Sequence, residues 1–129
     1  GILTMPNFDL SLAEGVMVLT PFSADATDEK TVNFVAEYNE RFGETPNQFA
    51  ADGYDCVYAL KQALEAAGCT PDMSTEDICS AMIEQFTTMT FDGLTGSGMA
   101  WSTSGEVSKL PLAVVIQDGV YVSAENAAE

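Results

Sequence analysis

The residues able to do covalent chemistry are few, and none falls into a working pattern. The chain has no histidine, which removes the commonest general base and the commonest zinc ligand. Cys56, Cys69 and Cys79 include no C-x-x-C pair, so neither a zinc nor a redox motif is supported. Cys69 and Cys79 flank a short Thr-Pro-Asp loop and could be bridged in an exported chain if the geometry allows. Cys56 lies on an apolar helical face and reads as a small core residue. No G-x-S-x-G elbow occurs, and without histidine only a Ser-Lys arrangement stays formally open. Gly93-Leu94-Thr95-Gly96-Ser97-Gly98 lacks the Gly-Lys-Ser/Thr ending of a phosphate loop and reads as turn chemistry. Asp25, Asp28 and Glu29 miss the calcium-loop spacing and read as a solvated helix start. Two of the 20 acids could in principle act as a hydrolytic pair, but nothing selects one. The expectation is no catalytic residues, no metal and no cofactor.

Charge narrows the partners. Twenty acidic residues face four basic ones, for a net charge of -16. Lys30, Arg41, Lys61 and Lys109 are too few and too scattered to displace phosphate counterions or to hold an anionic membrane. Nucleic acid is therefore excluded as a partner, and the acidity reads as solubility through self-repulsion. No apolar run approaches the roughly 20 residues of a membrane span. Gly1-Ile2-Leu3 shows no initiator Met and no signal-peptide pattern, so the natural N-terminus is expected to lie elsewhere.

The aromatics Phe49, Tyr54, Tyr58 and Trp101 could line a pocket, although core packing is the default for such side chains. Phe49 is the exception, because it follows the Thr45-Pro46-Asn47-Gln48 turn and can face a cleft from a helix start.

The elements that must position these groups can be read from periodicity. Val16 to Thr20 is a continuous apolar run of strand length, the pattern of a strand covered on both faces in a parallel sheet. Thr27 is the expected cap of a helix with Phe34, Val35, Tyr38 and Phe42 on one face, closed by Gly43. Phe49 to Ala67 reads as a second helix with an apolar stripe of Tyr54, Val57, Leu60, Leu64 and Ala67. A third starts at Ser74 or Thr75, with Ser74 and Asp77 resembling a capping box, and should bury Ile78, Met82, Ile83 and Phe86. Glycine-punctuated strands and turns follow from Phe91 to Val107. Asp118-Gly119 between Leu112–Ile116 and Val120–Val122 signals a hairpin. Ser123 to Glu129 reads as a frayed tail. The succession of helices without an intervening strand suggests a passage from one lobe to another near Pro46.

Specific motifs follow the same order. Ala13-Glu14-Gly15 enters the first strand. Tyr38-Asn39-Glu40-Arg41-Phe42-Gly43 ends the first helix. Tyr54-Asp55-Cys56-Val57 sits in the second helix, and Phe91-Asp92-Gly93-Leu94-Thr95-Gly96 precedes Trp101. From about Leu12 to Val122 this succession resembles the C-terminal part of type I periplasmic-type solute-binding proteins, the branched-chain amino-acid receptors of ABC importers. The resemblance implies an α/β fold, the C-terminal portion of two lobes that close on a ligand as a hinged trap. Residues 1–46 would give a strand and helix to the second lobe. Residues 47–108 would form first-lobe helices and a strand-turn segment, and 109–129 would return to the second lobe. It further implies a small-molecule ligand, an amino acid, delivered to a membrane permease, in an extracellular, lipoprotein or periplasmic setting. Of family pocket positions only Phe49 is matched, with Asp52 as a cleft-facing neighbour. The groups that hold the ligand carboxylate, and the acid that meets its ammonium, would lie upstream of Gly1. The fragment alone is then expected to bind ligand poorly and to self-associate through unpaired strand edges. The competing readings are a sensory or regulatory domain of the same fold and an acidic secreted hydrolase.

Overall fold

A computed structural model of the chain describes residues 2–127. Two short 3-10 turns, Ile2–Thr4 and Leu10–Ala13, lead into strand β1, Met17–Thr20. Helices α1 (Glu29–Phe42), α2 (Gln48–Ala66) and α3 (Thr75–Phe86) follow. The remaining strands are β2 (Thr90–Phe91), β3 (Met99–Ala100), β4 (Leu112–Gln117) and β5 (Val120–Ser123). The chain divides into two compact units, one of Gly1–Gln48 with Pro111–Glu129 and one of Phe49–Leu110.

In the first unit, β4 is the central strand of an antiparallel sheet ordered β1-β4-β5. Val18 pairs with Val114 and Ile116 with Tyr121. The covered face carries Val114, Ile116 and Thr20, all buried. The opposite face carries Met17 and Leu19, which are 62% and 67% exposed. The expected parallel strand with two covered faces is thus corrected. β1 is antiparallel to its neighbour, and the described residues cover only one face of it. Asp118 and Gly119 adopt positive φ (51° and 76°), the two left-handed positions a two-residue hairpin needs.

Helix α1 begins one residue later than expected. Asp28 rather than Thr27 is its cap, accepting a 3.0 Å bond from the Thr31 amide. A carboxylate there satisfies an orphan donor and meets the positive end of the helix dipole. Gly43 closes the helix at φ 71° with its amide bonded to the Asn39 carbonyl. Phe34, Tyr38 and Phe42 meet in tilted ring contacts along one face, and Phe22 packs edge-on against Phe34 with ring centroids 5.9 Å apart.

The expected frayed tail is also corrected over the described residues. Asp25 accepts bonds from the Ser123 amide (2.9 Å), the Asn126 side chain (3.1 Å) and the Ser23 hydroxyl. The Ala124 amide bonds to the Ala113 carbonyl. Partial burial acts to raise the Asp25 pKa, but those hydrogen bonds outweigh it and hold the carboxyl below its ordinary 3.8. A carboxyl depressed in the folded state stabilises the fold above its unfolded value, and that contribution is lost as pH falls through the folded value. Asp25→Asn is therefore expected to be less stable than the parent at neutral pH. The gap should close in strong acid, as read by urea melts at both extremes. A gap independent of pH would remove Asp25 as the anchor.

In the second unit, small residues set the packing. The buried face of α2 is Ala51, Asp55, Ala59 and Ala63. Tyr54, Val57 and Leu60 of the expected stripe are exposed, Leu64 and Ala67 are half-buried, and Cys56 is exposed rather than in the core. Side-chain size misled the periodicity here. A stripe of alanines lets a helix approach its neighbours closely, and Ala59 joins Phe91 and Met99 in the core cluster. On α3, Ser74 caps as expected by accepting from the Asp77 amide (3.1 Å). Ile78, Met82 and Phe86 are half-buried and Ile83 is exposed, so its expected buried face is only partly covered. Trp101 packs edge-on against Phe86 at 4.9 Å. Cys69 and Cys79 are free thiols. No helix among the described residues is long and apolar enough to cross a membrane.

Candidate functional site

The start of α2 gathers the polar and aromatic groups of interest. Phe49 lies in its first turn with 72% of its surface exposed. Asp52 follows three residues later, so the two share one helix face. Asp52 is half-buried and accepts a 2.8 Å charge-assisted bond from Lys109, the side chains being 35% and 28% exposed. Lys109 lies just before the end of the Phe49–Leu110 unit. The structure therefore places both expected site residues on one turn and pairs one of them, Asp52, with a cation. Sequence reasoning counted Lys109 only as one scattered basic residue, because a bond across 57 positions leaves no local signal.

One turn further along, Asp55 is 95% removed from solvent by the turn it holds, being only 5% exposed. Its Oδ1 accepts from the Leu94 amide at 2.8 Å, and its Oδ2 from the Thr95 amide at 2.8 Å and hydroxyl at 2.7 Å. The Gly93 amide closes the turn on the Gly96 carbonyl at 2.9 Å. A carboxylate with three donors is satisfied despite its burial. The Tyr54-Asp55 and Phe91–Gly96 motifs are thus two halves of one structural lock. The glycine-rich segment is turn chemistry, as its sequence suggests.

Elsewhere on this unit, Met82, Ile83, Phe86 and Trp101 floor an open groove of about 480 Å³ edged by Thr87 and Ser102. Among the described residues no group of three or more His, Cys, Asp or Glu side chains is placed to hold a metal.

The arrangement is an α/β one that sets an exposed aromatic ring and a paired carboxylate at a helix start. Comparison with known proteins specifies it further. The periplasmic binding protein family model matches residues 4–119, and the chain belongs to that family. A putative branched-chain amino acid ABC transporter protein from Rhodospirillum rubrum is 29% identical, with a TM-score of 0.64, over 86% of this chain and 31% of that one. An ABC transporter substrate-binding protein from Desulfitobacterium hafniense, solved with Leu, is 24% identical, with a TM-score of 0.72, over 88% and 32%. A solute-binding protein from Rhodopseudomonas palustris, solved with 3,4-dihydroxybenzoic acid, is 20% identical, with a TM-score of 0.68, over 95% and 32%. The chain spans about a third of the length of these relatives. A comparison with curated protein sequences finds no match. The family is one of substrate-binding proteins of ABC transporters, which bind small molecules outside the cytoplasm and are not enzymes.

Proposed function

We propose that the whole protein is the substrate-binding component of an ABC importer, taking up a branched-chain or other aliphatic amino acid. It performs no covalent chemistry. It captures the solute, closes and delivers it to a membrane permease from the periplasm or the cell surface. The family match over residues 4–119 carries this reading. The assignment of 1–46 and 109–129 to one lobe and 47–108 to the other belongs to the same proposal, as does ligand contact by Phe49 and Asp52. The exposed Phe49 ring offers an apolar surface of the kind an aliphatic side chain would cover. Replacing Phe49 by alanine in the whole protein should weaken binding of leucine by about 1–3 kcal/mol, measured by calorimetric titration. An unchanged affinity would remove Phe49 from the site.

The relative solved with 3,4-dihydroxybenzoic acid favours one second reading, an aromatic acid as cargo. The same titration with benzoate decides between them.

We also propose that the 129-residue chain self-associates. Among the described residues β1 is an edge strand with no charged or proline residue, and its own Met17 and Leu19 are exposed. Such an edge invites pairing. A net charge of -16 opposes it, so added salt should strengthen association by screening. Light scattering that reports a monomer at low and high salt alike would sink this idea.

A further inference from the structure

The backbone leaves the first unit after Gln48 and re-enters it at Pro111. Inside the second unit these two crossings are tied together. Asp52 is the fourth residue of that unit and Lys109 its last but one, and they meet at 2.8 Å. The i,i+4 pairs Arg41–Glu37 and Lys61–Glu65 are longer, at 3.7 and 3.3 Å, and sit in solvent. The half-buried Asp52–Lys109 pair is screened less than these, because the local dielectric is lower. Inside the first unit the same crossings are tied again. The Thr20 hydroxyl donates to the Gln48 side chain at 2.8 Å, and Thr20 pairs in register with Leu112 of β4. Thr20 is buried, so this tie is sheltered from water. Little slack is left between the ties. Helix α2 begins at Gln48, so the first crossing is already helical where it leaves. The second is Leu110-Pro111, where the proline ring fixes its own φ and restricts Leu110 to extended backbone.

We propose that the Asp52–Lys109 pair and the Thr20–Gln48 bond form a clasp that makes the two crossings act as one hinge, with Lys109 and Gln48 as its positioning residues. This rests on the capture-and-closure reading given above, in which the two units belong to the two lobes. A single crossing can bend and twist about every axis. Two crossings tied at both ends bend about the line that joins them and resist twist. A few residues at element ends then absorb the whole motion, as in other hinges. Releasing the clasp adds open arrangements that do not lead to closure. The competent fraction falls, and the apparent Kd rises in proportion. Each tie lies within one unit and is the same in open and closed states. The loss therefore falls on the rate of capture and not on the rate of release.

The test uses the whole protein with nitroxide labels on non-canonical residues at Glu40 of α1 and Ala66 of α2, both exposed. Pulsed electron resonance gives the spread of label distances without ligand, and stopped-flow mixing with leucine gives the capture and release rates. Lys109 is varied rather than Asp52, because Asp52 is a proposed ligand contact. Lys109→Met should widen the ligand-free spread and slow capture by about threefold to tenfold, with release unchanged. Gln48→Ala should do the same while the ion pair stays intact. Lys109→Arg keeps a cation opposite Asp52 and should keep the parent's spread. The parent's spread in either Lys109→Met or Gln48→Ala would overturn the clasp. A loss confined to faster release would overturn it too, since that is the sign of a lost ligand contact. If leucine neither binds the parent nor shifts its distances, the amino-acid reading falls, while the ligand-free spreads still decide the clasp.

Discussion

Asp55→Ala is expected to destabilise the fold by about 3–5 kcal/mol, because it strands three donors at about 1–3 kcal/mol each, with partial rescue by water. The Leu94 amide, the Thr95 amide and the Thr95 hydroxyl all lose their acceptor. Leu94 and Thr95 are buried, so solvent cannot replace it freely. Domains of this size have only about 5–15 kcal/mol in hand, so the variant should lose a large share of its stability. Denaturant melts give the value directly. Asp55→Asn should cost less, since it keeps one acceptor oxygen but turns a donor toward the others. A loss within about 0.5 kcal/mol for the alanine variant, the range of ordinary surface changes, would show that the lock does not hold the turn.

Gly93→Ala should cost about 2–3 kcal/mol by overpacking. A Cβ at Gly93 would stand 2.5 Å from Cγ and 2.6 Å from Oδ1 of Asp55, closer than real contacts allow. The cost is steric, since Gly93 is not among the glycines with positive φ. The two substitutions are consequently coupled. Removing the Asp55 carboxyl opens the space that the new methyl needs. The double variant should be more stable than the sum of the single losses predicts, by about 1–2 kcal/mol. Strict additivity would mean that Gly93 and Asp55 do not meet.

Much of the fold was legible because its signals are local. The Asp118-Gly119 hairpin, the Gly43 terminus and the Ser74 cap are each set by residues within a few positions of one another. The readings that failed depended on distant partners or on size. Large side chains drew the α2 stripe toward Tyr54, Val57 and Leu60, whereas the face that packs is Ala51, Ala59 and Ala63 with Asp55 among them. Alanine is a weak hydrophobic signal, yet its small size is what admits a close neighbour. The apolar run of β1 reads as covered on both sides, while the described residues cover one. Asp25 looked like one of a loose acidic cluster, and only the fold brings it to Ser123 and Asn126. For the candidate site, Phe49 was singled out by the turn before it. Lys109 was not, because its bond to Asp52 exists only once 57 residues have folded between them.

A thermal-shift panel of free amino acids on the whole protein tests the central claim most directly. A ligand at about 100 times its Kd adds roughly 2.7 kcal/mol of stability, which a melt resolves easily. The account predicts a selective shift with leucine, isoleucine or valine. No shift with any amino acid, at concentrations that saturate such receptors, would contradict it.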